Sequence, residues 1–570
     1  MQLQRIRIPA FRNLRELDIT FDTHLQPAAG ASTDAQPKPI RSHALIGQNG
    51  TGKSNLIEAL ITIFRDMDLD REAAFDYTLE YNIRGHVVRI EADTKKQKRP
   101  FVWVNDKAES QKFLVKHSRE YLPSHVFAYY SGKNERIEAL FRPHQDRYKE
   151  LLRRDSDDLM RRLFYCRNGH SQLVLLACFL SDDPVFKKLL GNLNIDSIES
   201  ALFVLKKPYS ARELDEQDIA LGDPRFWYRR GTVVNGFLDK LWQVAWAPVQ
   251  ETRQVPIDFR RRPERQELLY LFVPSNDKLK QLGEEVGTPE RFFRYAEAAY
   301  IGDLLEEVRI TVKKSAGHGG DVDFKQLSEG ELQMLTVLGL MRITREDHCL
   351  FLLDEPDTHL NPIWKLRYFD DIEGVLGDVS TGAYGKGAYG EGPYGASAGQ
   401  SQILITTHDP MMIGGLRKEQ VRILRREGDR TAVDVPDEHP QGMGVAGLLK
   451  SDVFGLSSTL DQQTLSDLQR RNELLAKRAK QGLTHKEQDE LERLRRYLDE
   501  LGFSREYRDP MYQLFLQKMY ETRSQPLSQL LPDEELKAQE ALAEQIAKTL
   551  IVEERTGELA ELAKALKVTK

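Results

Sequence analysis

Gly47-Gln48-Asn49-Gly50-Thr51-Gly52-Lys53-Ser54 fills every fixed position of the pattern G-x-x-x-x-G-K-[ST]. Glycines let the backbone wrap a phosphate, and the N–H groups of such a turn, with the helix that follows, favour an anion. In that chemistry Lys53 reaches the β/γ-phosphate oxygens, and the Ser54 hydroxyl ligates Mg²⁺. Gly47, Asn49, Gly50, Gly52 and Asn55 complete the expected cradle. A second constellation, Cys349-Leu350-Phe351-Leu352-Leu353-Asp354-Glu355-Pro356, is an apolar run ending in two carboxylates. Asp354 is expected in the Mg²⁺ shell, and Glu355 to orient and deprotonate an attacking water. A third apolar run, Ile403-Leu404-Ile405-Thr406-Thr407-His408, ends in a histidine. Alone, an acidic pair or a histidine at a strand end is more often structural than catalytic.

These groups need strands that end beside one another and a helix that starts at the loop. His43–Ile46 reads as a short apolar strand entering the glycine loop, and Asn55–Phe64 has helical spacing. Leu3, Ile6 and Ile8, then Leu17, Ile19 and Phe21, alternate as on half-buried strands joined by a turn at Phe11-Arg12-Asn13. Residues 26–40, rich in Ala, Pro, Gly and Ser, read as a loop. Further strand-like runs are Val87–Ile90, Phe101–Val104 and Val126–Tyr130. From 136 to 319 the pattern reads as mainly helical, and its prolines argue against a long coiled coil. Residues 378–400 repeat Tyr384, Tyr389 and Tyr394 among glycines and read as a mobile loop. Leu465–Gln481 and His485–Leu501 read as a helical hairpin, with Gly482 ending the first helix and Thr484 and Glu487 capping the second.

Leu327-Ser328-Glu329-Gly330-Glu331 lies 27 residues before Asp354. It resembles the signature motif of ABC-type ATPases, usually LSGGQ, with Glu329 and Glu331 in place of a glycine and the glutamine. Such departures are common in the SMC, RecF and related DNA-maintenance branch. His408 resembles the switch histidine of that family. Asp354 and His408 are 54 residues apart, an ordinary separation once the 23-residue Gly/Tyr loop is set aside. Asp357-Thr358-His359-Leu360-Asn361-Pro362 resembles a D-loop, and EPDTHLNP, read from Glu355, is similar to the EPxxHLxP of overcoming-lysogenization-defect ATPases. No glutamine marks a Q-loop, for which Ser131 or Asn134 could substitute. Arg12 and Asn13 fall where this branch carries phosphate-side residues, with a simple turn as the alternative.

The resemblance implies an α/β P-loop NTPase of the ABC/SMC-like head type, with a mixed sheet, a helical insertion and a helical C-terminal region. It divides the chain into an N-terminal lobe 1–135, an insertion 136–319, a C-terminal lobe 320–435, and a region 436–570 open to partner docking. ATP and Mg²⁺ are the implied cofactors. It also implies a head-to-tail homodimer, or a higher even oligomer, in which Ser328, Gly330 and Glu331 of one copy meet the nucleotide on the other. Size, insertion and the segment Gly444–Leu456 resemble PtuA, the ATPase subunit family of Septu-type and retron-associated anti-phage systems. That family implies an HNH nuclease partner, PtuB, and in retrons a reverse transcriptase with its msDNA. A RecF-like repair ATPase, and a nucleotide-gated scaffold with incidental hydrolysis, are the alternatives.

Composition narrows the classes. At 570 residues, with 40% hydrophobic and 30% charged side chains, the chain is globular and multidomain. Its net charge of −6 makes no global case for nucleic acid. Residues 84–167 nevertheless hold 20 Lys/Arg against 12 Asp/Glu, and Arg260, Arg261, Arg262 and Arg265 cluster. That surplus fits a solvated face or a phosphate-binding surface for DNA, RNA or msDNA. No apolar run approaches membrane-spanning length, and three scattered cysteines predict a reducing, cytoplasmic setting. Glu427-Gly428-Asp429 has no later DxD, so no Toprim nuclease is expected, and 421–435 reads as a plain hairpin.

Overall fold

A computed structural model describes residues 1–25, 38–132, 135–153, 161–167, 169–208, 216–228, 232–255, 264–315, 320–344, 348–376, 401–456 and 458–501. Most of the 26–40 loop, Lys133, Asn134, Arg260–Arg262, the Gly/Tyr loop and everything after Leu501 lie outside them. Two compact units divide the chain, Met1–Leu448 and Leu449–Lys570.

The first unit opens with a hairpin, β1 (Gln2–Phe11) and β2 (Leu14–Thr20), turning at Arg12-Asn13, with Arg12 at φ 51°. Ile6 and Ile8, and Leu17 and Ile19, alternate with exposed neighbours, and a register shift between Leu3 and Arg5 turns Leu3 inward as well. A short pair follows, β3 (His24–Leu25) and β4 (Lys38–Pro39), then β5 (Ser42–Ile46) and α1 (Lys53–Asp68). Next come β6 (Tyr77–Ile83), β7 (His86–Ala92), β8 (Phe101–Val104) and β9 (Lys107–Glu109). They join the hairpin in an antiparallel sheet ordered β2-β1-β6-β7-β8-β9.

The helices α2 (Gln111–Lys116) and α3 (Ser118–Tyr121) lead to β10 (Val126–Tyr130), α4 (Arg136–Arg153) and β11 (Leu163–Tyr165). Pro143 lies inside α4 and does not end it, whereas Pro184 and Pro289 open helices, as proline's fixed φ allows. Then follow α5 (His170–Phe179), α6 (Pro184–Asn192), β12 (Ile195–Lys206), α7 (Glu216–Leu221), α8 (Thr232–Val244), β13 (Trp246–Val255) and β14 (Glu264–Val273). The insertion ends with α9 (Asn276–Val286), α10 (Pro289–Ile301) and β15 (Leu305–Lys314), and β16 (Asp321–Asp323), just past residue 319, completes its sheet.

Beside its helices, this insertion carries an antiparallel sheet ordered β13-β14-β12-β15-β16, which the sequence pattern had not revealed. The reason lies in β12. Its buried Ile195, Ile198 and Ala201 are spaced by three, as in a helix, because the register against β15 slips between Ile195 and Ser197 and again between Ile198 and Ser200. Each bulge inserts a residue and breaks the period of two.

The C-terminal lobe runs α11 (Glu329–Ile343), β17 (Leu350–Asp354), α12 (Pro362–Leu376), β18 (Gln402–Thr406), α13 (Pro410–Ile413), β19 (Val421–Glu427) and β20 (Arg430–Asp434). The hairpin β19–β20 turns at Gly428-Asp429, with Glu427 paired to Arg430. The central sheet is ordered β11-β10-β17-β18-β5-β19-β20 and is parallel from β11 to β19. β5, β17 and β18 are buried at every residue, as befits central parallel strands covered on both faces. Their register pairs Asp354 with Thr406 and Thr406 with Leu45, so the three carboxyl ends lie side by side. In open α/β sheets that edge is where ligands bind.

α14 (Gly444–Lys450) spans the division between the units. In the second unit, α15 (Gln462–Gln481) and α16 (His485–Glu500) pack as the expected hairpin. Gly482 caps α15 at φ 76°, and Thr484 donates to Glu487 from its N–H and its hydroxyl. Leu474, Leu491 and Leu498 are buried, while Leu501 is half exposed.

Candidate nucleotide site

The loop Gly47–Gly52 leaves β5 and delivers Lys53 and Ser54 as the first residues of α1. Gly52 sits at φ 105°, and a Cβ there would collide with the Leu14 side chain. Only glycine combines that conformation with so close an approach of the hairpin. Asn13 supports the loop from outside. Its amide donates to Gly50 O at 2.6 Å, its carbonyl oxygen accepts from Asn55 Nδ2, and Arg426 donates to its backbone carbonyl at 2.6 Å. Arg12 turns to α1, where Glu58 pairs with it and, at 3.0 Å, with Arg136. Both hairpin residues therefore brace the loop and the helix behind it. Asn49 is exposed at the loop's tip.

Lys53 Nζ donates to Gly47 O at 2.6 Å and Gln48 O at 3.3 Å. Burial lowers its pKa, and the nearby carboxylates of Glu355 and Asp354 push back. Asp354 is fully buried. Its Oδ1 accepts from Ser54 Oγ at 3.1 Å and from Thr406 Oγ1, while its buried Oδ2 has no hydrogen bond among the described residues. Burial raises its pKa, against the pull of those two hydroxyls. An orphaned carboxylate oxygen beside a serine hydroxyl fits Mg²⁺, which Asp354 and Ser54 would hold and which would neutralise phosphate charge.

Glu355 follows the strand at φ 50°, a conformation costing on the order of 1 kcal/mol for a non-glycine residue. Its N–H is shared between Thr406 O and Thr406 Oγ1, each at 3.1 Å. This kink turns the side chain toward His408, whose Nδ1 lies 3.3 Å from Glu355 Oε1, both side chains open to solvent. The sheet thus gathers Lys53, Ser54, Asp354, Glu355 and His408 at one edge. Thr406 joins them: it bonds both acids and was legible only as the residue before Thr407-His408.

The signature residues are engaged elsewhere. Ser328 caps α11, accepting from Glu331 N at 3.2 Å, and its own N–H donates to Glu331 Oε2 at 2.7 Å. Lys314 holds Glu331 at 2.6 Å, and the two interactions outweigh burial and lower its pKa. Gly330 packs so closely on the D-loop that a Cβ would lie 2.5 Å from His359 O. Gln333 ties α11 to the same loop, donating to Pro356 O and accepting from His359 N at 3.3 Å. Ser328 itself is exposed and opens on a cavity of about 480 Å³ shared with Asn361 and Trp364. Asp357 is buried and accepts from Thr407 Oγ1 at 3.0 Å, and Thr358 bonds Ser131 at 3.0 Å, so Ser131 reaches the D-loop.

Residues 42–413 match the family model AAA_21, described as "AAA domain, putative AbiEii toxin, Type IV TA system". The chain belongs to this family. Its phosphate loop and paired acids make this AAA_21 member a P-loop ATPase. No curated protein matches the chain. Among solved structures, the SMC head domain from Thermotoga maritima is similar over 76% of this chain and 99% of that one, at 13% identity and a TM-score of 0.29. That likeness is too distant to bear on mechanism. The fold assignment stands on the sheet order and the phosphate loop. Among the described residues no helix is long and apolar enough to cross a membrane.

Proposed function

We propose that this chain is an ATP-hydrolysing switch that closes head-to-tail with a second copy on Mg²⁺-ATP and thereby controls a partner HNH nuclease in anti-phage defence. One observation carries the hydrolytic part: Asp354 with its orphaned oxygen, Glu355 and His408 converge at the carboxyl ends of β17 and β18 beside Lys53 and Ser54.

On this reading Lys53 exchanges the Gly47 and Gln48 carbonyls for phosphate oxygens. Glu355 takes a proton from the attacking water, and His408 holds the carboxylate and faces the γ-phosphate. Ser328 and the Gly330 N–H, at the α11 N-terminus, receive that phosphate from the second copy. Ile363 and Leu366, 68% and 57% exposed on α12 just beyond Asn361, supply apolar surface beside the cavity for such a closure. The family's description names a toxin of a toxin–antitoxin system, a role in keeping with an ATPase that restrains or releases a destructive partner. Residues 436–570 are the proposed docking region, and msDNA with its reverse transcriptase a further partner.

Glu355→Gln tests the switch. The neutral amide keeps the shape and loses the base, so ATP turnover is expected to fall on the order of 10²–10⁴-fold. Light scattering with ATP is expected to show a trapped dimer. Monomers alone under those conditions contradict the closure. Affinity purification from the native operon, with mass spectrometry, tests the partner: an associated HNH protein supports it, and its absence overturns it.

A further inference from the structure

We propose that a basic pocket at the C-terminal end of α1 is a second anion site, built to take one phosphate group. The pocket encloses about 150 Å³ and is lined by Asp68, Arg119, His144, Arg147, Arg161 and Arg162, with Tyr148 on its wall. It lies at the far end of a 16-residue helix from Lys53, about 24 Å away at 1.5 Å per residue, so it is no part of the nucleotide site.

Two polar groups in its wall are deeply buried and unsatisfied. Arg161 is 7% exposed, and its Nε has no hydrogen-bond partner among the described residues. Its terminal nitrogen pairs with Glu297, and its guanidinium stacks over Phe164 at 4.5 Å and Tyr148 at 5.6 Å. His144, 5% exposed, spends Nε2 on Asp68 at 2.9 Å, and its buried Nδ1 has no partner among the described residues.

The charge is lopsided. Asp68 is answered by Arg162 at 2.6 Å and by His144. Among the described residues of the lining, one carboxylate, Asp68, faces four guanidiniums and an imidazole, and Glu297, outside the lining, pairs with Arg161. Arg147 reaches Asp68 only at 4.0 Å and is 59% exposed, and Arg119 has no ion pair among the described residues. These two cations at the mouth, with Arg161 and Arg162 in the wall behind them, suit a tetrahedral oxyanion, which arginine forks match. The volume holds about five waters' worth of liquid, which is room for a phosphate group. The lining thus points to a phosphate group, carried either by a free nucleotide or by a nucleic-acid end. Part of the surplus of basic residues between 84 and 167 has this concave destination.

Calorimetry on the full chain carrying Lys53→Ala, which disables the nucleotide site, tests this. The probes are inorganic phosphate, AMP, and a short single-stranded DNA with or without a 5′-phosphate. Phosphate is expected to bind, and adding Arg119→Ala and Arg147→Ala, both at the solvent-facing mouth, to weaken it about tenfold or more. AMP binding as tightly as the phosphorylated DNA assigns the site to nucleotides. Preference for phosphorylated over unphosphorylated DNA, with a salt slope shallower by about two in the double variant, assigns it to nucleic-acid ends. No binding of any probe, or unaltered affinity in the double variant, overturns the proposal. In the chain with Lys53 intact, the double variant is expected to keep its ATP turnover, so failure here is separate from failure of the nucleotide site.

Discussion

An aspartate lies at each end of α1, fully buried Asp354 beside its first turn and largely buried Asp68 as its last residue, and their surroundings treat them in opposite ways. At the first turn, Asp354 has two hydroxyl donors on one oxygen and nothing on the other, and burial raises its pKa. At the last turn, burial also pushes Asp68 up, but the His144 hydrogen bond and the Arg162 charge outweigh it and bring it down to about 2. Burial is therefore not what distinguishes them. Neutral donors leave a carboxylate short of positive charge, so that it awaits a cation. At Asp68 the Arg162 guanidinium, with Arg147 beyond it, supplies positive charge in excess, so that the surrounding surface awaits an anion. One helix thus links two sites of opposite ligand preference.

The largest expected break in this symmetry is functional. Asp354→Asn removes the charge and keeps the shape, so the gain in ATP affinity that Mg²⁺ confers is expected to fall tenfold or more, while Mg²⁺-free binding holds. Calorimetry with and without EDTA reads this directly, and an undiminished Mg²⁺ effect would exclude Asp354 as a ligand. The same change relieves a half-satisfied buried charge, so thermal stability is expected to rise. Asp68→Asn is expected to act in the reverse sense. The folded value, about 2, lies below the ordinary 3.8, so the Asp68 contribution is fully present above the higher value and disappears as pH falls through the lower. The difference corresponds to about 2 kcal/mol. The variant is therefore expected to melt lower at neutral pH and converge on the parent near pH 2. Parallel melting curves across that window would show that Asp68 is not held by its cations.

Much of the first site was legible because its parts are contiguous: a loop, a strand end, a second strand end. Their meeting required only that three apolar strands be parallel neighbours, which full burial of β5, β17 and β18 enforces. What escaped was set by contacts distant in sequence or by broken periods. Glu58, on the buried face of α1, gave no sign that it would take Arg12 and Arg136. The sheet around β12 was hidden by its bulges. The second site draws on α1, α3, α4 and the approach to β11, so the sequence could show only that basic residues were in excess, with no sign that they shared a pocket.

The smallest effect tests the finest part of the comparison, the neutrality of the donors at Asp354. Thr406→Val keeps the β-branched shape that β18 requires and deletes one hydroxyl. Asp354 Oδ1 then keeps only Ser54, and Glu355 N keeps only the Thr406 backbone carbonyl. One net hydrogen bond is worth about 1 kcal/mol, so a several-fold loss of turnover is expected. Because the hydroxyl opposes the rise of the Asp354 pKa, its loss is expected to shift the acid limb of the activity profile to higher pH. An unmoved acid limb with lowered turnover would place the role of Thr406 at Glu355 instead, holding the kink that presents the base to water.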